Sequence, residues 1–167
     1  GASGCLYIGT SGGGLNVLQK DRITVYTKLN GLPDDYISAL YVDAEDGLWI
    51  GTRGGGFSRF RAGRFVNFYH TGGLPARRVG PILEDDSGRL WMASLLGIVC
   101  VSRQELNEFA AGNLRSVNYI DFDRSDGLVT SEVGGVQPAC LKARDGTLWF
   151  GTSKGAAFVD PKQLQIN

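Results

Sequence analysis

Short apolar segments alternate with glycine-rich or acidic turns along the whole chain. Around Trp49, an apolar and β-branched run ends at the acidic turn Ala44–Gly47, and three further segments follow at short intervals. Segments of about four to eight such residues, bounded by turn residues, are typical of β-strands. Four strands are therefore predicted here, and we name them A to D in chain order: Ile37–Asp43, Leu48–Thr52, Phe57–Arg61 and Arg64–Tyr69.

The B strand recurs four times with nearly the same sequence. Leu6-Tyr-Ile-Gly-Thr10 returns as Leu48-Trp-Ile-Gly-Thr52, as Leu90-Trp-Met-Ala-Ser94 and as Leu148-Trp-Phe-Gly-Thr152, with starts 42, 42 and 58 residues apart. A period of roughly 42 residues is the length of one four-stranded propeller blade. The sequence therefore predicts an all-β fold, a partial β-propeller of about four blades made of four-stranded antiparallel sheets.

These repeats divide one predicted domain, residues 1–167, into blades at about 4–30, 36–70, 79–123 and 136–167. The first repeat lacks its A strand. The last repeat reaches Asp160-Pro161 after its C strand, and whether Gln163–Ile166 forms a D strand is left open. We therefore expect a piece of a longer propeller. The tryptophans share one repeat position, which predicts that all three are mostly buried in blade packing: Trp49, Trp91 and Trp149.

The third repeat is 16 residues longer than the others, and the extra segment is helical in pattern. Ser102-Arg-Gln-Glu105 has the order of a capping box, in which Ser102 caps the free amides and Glu105 reaches back. Leu106, Phe109 and Ala110 then share one face, and Gly112-Asn113 supplies a stop. One short helix is therefore predicted between strands C and D of the third blade.

Charge and composition narrow the classes of partner. The 17 Lys and Arg residues balance 17 Asp and Glu residues, so the chain lacks the basic excess that attracts nucleic acid or anionic lipid. No apolar run approaches the roughly 20 residues of a membrane span, and no signal peptide is recognisable, so we expect no membrane insertion of this segment. An odd number of cysteines, Cys5, Cys100 and Cys140, argues against a disulfide framework.

Several motifs together resemble the two-component regulator propeller repeats of bacterial sensor proteins. They are Gly31-Leu-Pro33, Leu48-Trp-Ile-Gly-Thr52 and Asp85-Asp-Ser-Gly88, in that order within the period, and, in later repeats, Val101-Ser-Arg-Gln-Glu-Leu106, Asp126-Gly-Leu128, Gly134-Gly-Val-Gln-Pro-Ala139 and Asp145-Gly-Thr-Leu-Trp-Phe150. The later motifs are similar to the closing blades of such a sensor. The third repeat departs from the family pattern at Met92–Ser94, at Leu95–Gly97 and at Val133.

The resemblance implies a function and a location. In that family the propeller precedes a β-sandwich domain, a membrane span and a signalling output, often a histidine kinase or a diguanylate cyclase. By resemblance, this chain is the ligand-sensing part of a periplasmic receptor in a two-component type system, and it binds rather than transforms its ligand.

Two motifs suggest catalysis on a first inspection. Gly9–Gly13 and Gly151–Gly155 both satisfy G-x-S-x-G, the pattern of a hydrolase nucleophile elbow, which needs its serine on a strand-to-helix turn. Here the motif falls between two predicted strands, and Arg53 stands at the serine position of the second repeat. The glycine triplets lack the Lys and Ser or Thr of a phosphate-binding loop. Tight B–C turns are the favoured interpretation of both features.

The acidic turns and the single histidine allow a second interpretation each. Asp43–Asp46, Glu84–Asp86 and Asp121–Asp123 offer oxygen ligands for calcium, but none has the order of a calcium loop, and Asp and Gly also suit hairpin turns. His70 is either a loop residue or a ligand contact. We therefore predict no metal site, no cofactor and no catalytic residue.

Ligand binding is assigned to one face of the propeller, where the B–C and D–A loops emerge together. Loops carry specificity on a rigid scaffold, so the polar residues that vary among the repeats are the candidates. The candidate ligand-binding residues are Asp34, Asp35, Tyr36, Arg53, His70, Arg77, Arg78, Glu132 and Lys154. Mixed charge with an aromatic ring suits a small polar ligand such as a glycan or a carboxylate.

Two other functions remain open from the sequence. A propeller hydrolase of the esterase, lactonase or phosphotriesterase type would need a metal or polar cluster near the axis, and a purely structural interaction module would need neither. The open ends of the arc favour association, because the first and last sheets would expose apolar faces. We expect a homodimer that completes a propeller ring, with Cys5–Thr27 of one chain against Leu148–Ile166 of the other.

Overall fold

The computed structural model describes residues 4–68, 74, 77–133 and 139–164, and in this part the strands form four antiparallel sheets in chain order. Sheet one contains β1 (Leu6–Gly9), β2 (Leu15–Gln19) and β3 (Arg22–Tyr26), and sheet two contains β4 (Ile37–Val42), β5 (Leu48–Thr52), β6 (Phe57–Arg61) and β7 (Arg64–Asn67). Sheet three contains β8 (Val79–Glu84), β9 (Arg89–Ser94), β10 (Ile98–Ser102) and β11 (Tyr119–Phe122), and sheet four contains β12 (Cys140–Lys142), β13 (Leu148–Thr152) and β14 (Gly155–Val159).

Each strand pairs with its neighbours in sequence, as in a meander, so β1, β5, β9 and β13 are the four predicted B strands. Among the described residues, sheet one has three strands, β1 to β3, which correspond to strands B, C and D of the repeat. Sheet four also has three strands in the described part of the chain, and Pro161–Gln163 form a turn rather than the start of a D strand. The chain divides into two compact units, residues 1–80 and 81–167.

The core of the first unit lies between sheets one and two. Its buried members are Leu15, Leu32, Leu48, Ile50 and Phe60, and Tyr7 and Val17 of sheet one pack against them. Tyr26 meets the rings of Phe60 and Phe65 edge-on, with centroids 4.9 and 5.7 Å apart. Because these side chains come from alternate positions of facing strands, the apolar pattern alone selects the face that each sheet buries.

The second unit has the same construction between sheets three and four. Trp91, Ala93, Ile98 and Cys100 of sheet three are buried with Leu148 and Phe150 of sheet four and with Val133. Trp91 also stacks on Phe122 at 5.6 Å. The two units therefore share one kind of contact. The aromatic second residue of a B strand packs against the first and third residues of the B strand in the next sheet: Tyr7 on Leu48 and Ile50, and Trp91 on Leu148 and Phe150.

The A–B turns of sheets two and three hold the tryptophans in place. The Nε1–H group of Trp49 donates to Asp43 Oδ2 at 2.8 Å, and that of Trp91 donates to Asp85 Oδ2 at 2.9 Å. Asp43 also accepts the backbone N–H of Gly47 at 2.7 Å. The acidic residues of these turns are therefore structural: each one satisfies a buried indole and closes its own turn.

The inserted helix α1 (Arg103–Ala110) lies between β10 and β11, as predicted. Ser102 accepts the backbone N–H of Glu105, and Leu106 is fully buried. Glu105 differs from the expected capping box, because its carboxylate accepts the backbone N–H of Asn118 at 2.9 Å and so fastens the helix to the segment that leads into β11. None of the helices in the described ranges is long and apolar enough to cross a membrane.

The expected burial of the tryptophans is confirmed at Trp49 and Trp91 and is only partial at Trp149. Trp49 and Trp91 are fully buried, whereas Trp149 is 40% exposed. Two causes are visible. Ala143 replaces the aspartate that holds the indole in sheets two and three, and Trp149 lies on the outer face of the last sheet, where its ring contact is the exposed Phe158 at 5.1 Å.

Candidate ligand-binding face

Backbone hydrogen bonds bring the B–C turns and the D–A loops of the first unit to one edge. The N–H groups of Gly12 and Gly14 donate to Asp35 O at 3.1 and 3.0 Å, and the N–H of Arg53 donates to Tyr36 O at 3.0 Å. The N–H of Gly56 donates to Arg77 O at 2.8 Å. The predicted meeting of these two sets of loops on one side is thus observed within this unit.

The D–A loop that carries Asp34 and Asp35 is held by hydrogen bonds within the loop. A 3₁₀ turn at Lys28–Asn30 is closed by a reciprocal capping box between Thr27 and Asn30. The carboxylate of Asp35 accepts the N–H of Lys28 at 2.8 Å, and the carboxylate of Asp34 accepts the N–H of Tyr36 at 3.2 Å. Both aspartates therefore stabilise the loop that carries them, and their role as ligand contacts stays a prediction.

The remaining candidates of this unit present exposed functional groups. The ring of Tyr36 is 47% exposed and lies against the turn glycine Gly12, where an added Cβ would come within 3.3 Å of it. Arg77 is oriented by a bond from Nε to Gly54 O at 3.2 Å. Arg53 and Arg78 are exposed, and neither guanidinium has a side-chain partner among the described residues. Three guanidinium groups and a phenol thus lie on loops of one edge.

The second unit repeats the arrangement with other side chains. The N–H of Ser153 donates to Glu132 O at 3.3 Å, as Arg53 does to Tyr36 O in the first unit, and the N–H of Glu132 donates to Thr130 Oγ1 at 3.2 Å. Lys154 lies on a groove of about 260 Å³ whose other charged lining residue is Asp126. The apolar part of the lining is formed by Ile98, Phe122, Leu128, Val129, Ala156, Ala157, Phe158 and Val159.

The serines of the two G-x-S-x-G motifs do not lie on the strand-to-helix turn that a nucleophile elbow requires. Ser11 and Ser153 of the two G-x-S-x-G motifs lie in strand–turn–strand connections, so the turn interpretation is correct. Burial raises the pKa of the Cys100 thiol to about 12 and that of Cys140 to about 11, which leaves both protonated and unreactive at neutral pH. Across residues 4–68, 77–133 and 139–164, no group of three or more His, Cys, Asp or Glu side chains could hold a metal ion. His70 lies outside the described residues.

The aspartate–tryptophan hydrogen bonds and the capped D–A turns were not predicted from the sequence, although each has a recognisable residue pattern. Aspartate stands six residues before tryptophan in two repeats, and a polar cap precedes Asn30-Gly31 and Asp126-Gly127 at the same spacing. In the second turn Asp123 accepts the N–H of Ser125 at 2.7 Å, and hydrogen bonds from Ser125 lower the pKa of that carboxyl below its ordinary value.

Solved structures share this fold over nearly the whole chain. The extracellular domains of two hybrid two component systems from B. thetaiotaomicron align with TM-scores of 0.77 and 0.68, at 21% and 23% identity, over 98% and 94% of this chain. This chain spans only 23% and 22% of their lengths. Virginiamycin B lyase from Staphylococcus aureus aligns at a TM-score of 0.57 and 16% identity, over 94% of this chain and 50% of the lyase. The comparison with curated proteins gives no match.

Four meander sheets, one inserted helix and these neighbours define the class: the chain is a partial β-propeller. Residues 31–54 match the family model described as two component regulator propeller. That match and the extracellular-domain neighbours confirm the resemblance to two-component regulator propeller repeats. The matched segment runs from the D–A loop through the A strand to the B–C turn, so it includes Asp34, Tyr36 and Arg53.

Proposed function

We propose that the chain is a ligand-sensing propeller module of an extracytoplasmic receptor of the two-component type, and that it binds without catalysis. The observation that carries this proposal is the convergence of Tyr36, Arg53 and Arg77 on one edge of the first unit, on loops fixed by backbone bonds. Rigid loops lower the ordering cost of binding. The extracellular location of the structural neighbours supports a periplasmic or extracellular position.

The ligand that this edge fits is small, polar and anionic, such as a carboxylate or an acidic glycan. Guanidinium groups bind carboxylates through paired, charge-assisted hydrogen bonds. An exposed phenol beside them provides a surface on which a sugar ring packs. The two aspartates of the loop are held by backbone N–H groups and keep their charge, but the three guanidinium groups of this edge outnumber them.

A thermal-shift and calorimetric screen tests this assignment. The probes are neutral sugars, uronic acids and dicarboxylic acids, and binding to the folded state raises the melting temperature. Arg53→Ala should weaken binding of the acidic probes by roughly tenfold or more, because a charge-assisted contact is lost. Arg61→Ala is the matched control, since Arg61 is an exposed arginine at the far end of strand β6 in the same sheet.

The results of this screen distinguish ligand binding at this edge from binding elsewhere, from catalysis and from a purely structural role. A melting shift with acidic probes that survives in Arg61→Ala and disappears in Arg53→Ala supports the proposal. Binding that is equal in both variants places the ligand elsewhere, and turnover of any probe makes the chain an enzyme. The absence of any shift across the panel leaves the interaction module as the function.

A further inference from the structure

A pocket of about 390 Å³ lies beside the inserted helix of the third repeat. Its lining comes from sheet three, from α1 and from the segment between α1 and β11, so it is formed entirely within one repeat of the second unit. It lies where β9 begins and β10 ends, at the end of the sheet opposite to the B–C turn. Its volume falls in the range of roughly 300–1,000 Å³ that small-molecule sites occupy.

Strand alternation brings four of the lining side chains to one face of sheet three. Arg89 is directly opposite Ser102 in the register of β9 and β10. Asn118 and Ile120 stand at alternate positions where β11 begins, on the same face. Glu105 joins these residues from the first turn of α1, because its backbone N–H donates to Ser102 Oγ at 3.4 Å. The pocket therefore combines two charged groups, two neutral polar groups and an apolar side chain.

The two charged side chains of the pocket are held in place by other contacts. Arg89 donates from Nε to Asp85 Oδ2 at 2.6 Å and from Nη2 to the carbonyl oxygen of Pro161 at 2.9 Å. One carboxylate oxygen of Glu105, Oε2, accepts the backbone N–H of Asn118 at 2.9 Å. Arg89 and Glu105 form no ion pair with each other in the part of the chain that the structure describes. Because both groups are already ordered, a ligand that contacts them pays little for fixing their positions.

The balance of charge around the pocket favours a cation. The charge of Arg89 is balanced by Asp85, with which it forms an ion pair. Glu105 is half-buried and has no ion-pair partner among the described residues. Its carboxylate is therefore the uncompensated charge of the lining. A partly desolvated charge gains free energy when a group of opposite sign binds beside it.

We propose that this pocket binds a small primary ammonium compound that also carries hydroxyl groups, such as an amino sugar. The ammonium group bonds to the carboxylate of Glu105. The hydroxyl oxygens accept hydrogen bonds from the side-chain amide of Asn118 and from Arg89, whose bonds to Asp85 and Pro161 use only Nε and Nη2. The site shares no residue with the loops of the proposed function and does not depend on that proposal.

Probes that differ in charge test the proposal on the unchanged protein. Calorimetric titrations use glucosamine, N-acetylglucosamine and alanine at mildly acidic pH, where the amine of glucosamine is charged. Glucosamine should bind, and N-acetylglucosamine, which has no charge, should bind more weakly by roughly tenfold or more. Alanine should also bind more weakly, because its carboxylate adds a negative charge near Glu105. Equal binding of either comparison probe refutes the preference for a cation, and no binding of glucosamine refutes the site.

Matched variants of α1 locate the bound probe. Glu105→Gln keeps an oxygen that can accept the N–H of Asn118 but removes the charge, so it should keep the circular dichroism spectrum and bind glucosamine more weakly by roughly tenfold or more. Glu108→Gln is the control, because Glu108 belongs to the same helix and bonds to Asn113 outside the pocket. It should bind like the wild type. Unchanged binding in Glu105→Gln, or an equal loss in Glu108→Gln, overturns the proposal.

Discussion

Trp91 and Trp149 occupy the same position of the repeat and have different environments. Trp91 is fully buried, donates its indole N–H to Asp85 and lies under Arg89, whose guanidinium carbon is 5.9 Å from the ring centroid. Trp149 is 40% exposed and has Ala143 where the aspartate would be. The comparison teaches that a repeat motif determines which face a residue lies on, whereas burial depends on whether another sheet covers that face.

The largest expected difference comes from truncating the two side chains. Trp91→Ala should lower the free energy of unfolding by about 3–5 kcal/mol, because it leaves a cavity in a packed core. Trp149→Ala should cost about half of that or less, since much of the indole already contacts solvent. Urea denaturation of both variants gives the two values. Equal losses would show that the environments of the two tryptophans do not differ in the way described.

Removing the charge at Asp85 tests what the hydrogen bond contributes to Trp91. Burial pushes the pKa of Asp85 up, but hydrogen bonds from Trp91 and Arg89 and the charge of Arg89 outweigh this effect, and the net pKa is below the ordinary value. Asp85→Asn should cost about 1.5–3 kcal/mol at neutral pH, as expected for hydrogen bonds to a buried charge. Asp86→Asn is the control, because Asp86 is exposed and pairs with Lys142 at the surface.

The same substitution has a defined pH dependence. A carboxyl whose pKa is lowered by folding stabilises the folded state above the unfolded-state pKa of about 3.9, and this stabilisation is lost as the pH falls through the folded-state pKa. The stability gap between wild type and Asp85→Asn should therefore be constant from neutral pH down to about pH 4 and shrink below it. A gap that widens on acidification would contradict the ionised state of Asp85. Denaturant titrations at several pH values provide the measurement.

The smallest expected effect is an increase in stability. Ala143→Asp places a carboxylate six residues before Trp149, the spacing that joins Asp43 to Trp49. We expect the melting temperature to rise and the free energy of unfolding to increase by about 0.5–1 kcal/mol, since the new bond is partly exposed to solvent. Ala143→Asn is the matched control without charge. If Ala143→Asp is destabilised relative to Ala143→Asn, the turn of sheet four is not equivalent to the turns of sheets two and three.

Much of the fold could be predicted, because its signals are local. The period of roughly 42 residues, the glycine and acidic turns, and the Ser102 cap each act within a few residues of the element they define. The exposure of Trp149 could not be predicted from the motif that contains it. It depends on a missing aspartate at Ala143 and on the absence, among the described residues, of a sheet over that face.

The meeting of the candidate loops could be predicted, whereas their role in ligand binding stays a prediction. Strand connectivity places the B–C and D–A loops on one side, and backbone hydrogen bonds accordingly bring the loops of Tyr36, Arg53 and Arg77 to one edge. Asp34 and Asp35 were also selected for their charge, yet both accept backbone N–H groups of their own loop. The short side chain of aspartate readily accepts hydrogen bonds from nearby backbone N–H groups. Composition alone does not distinguish an aspartate that stabilises its own loop from one that binds a ligand.

The buried thiol of Cys100 makes the separation of sheets three and four observable as a rate. Cys100 belongs to sheet three, is 2% exposed and lies in the core between these two sheets. Because this burial also raises the pKa of the thiol to about 12, Cys100 does not react with a thiol reagent while the sheets stay packed. Its modification therefore proceeds through opening, and the dependence of the rate on reagent concentration reports how often the two sheets part within an otherwise folded chain.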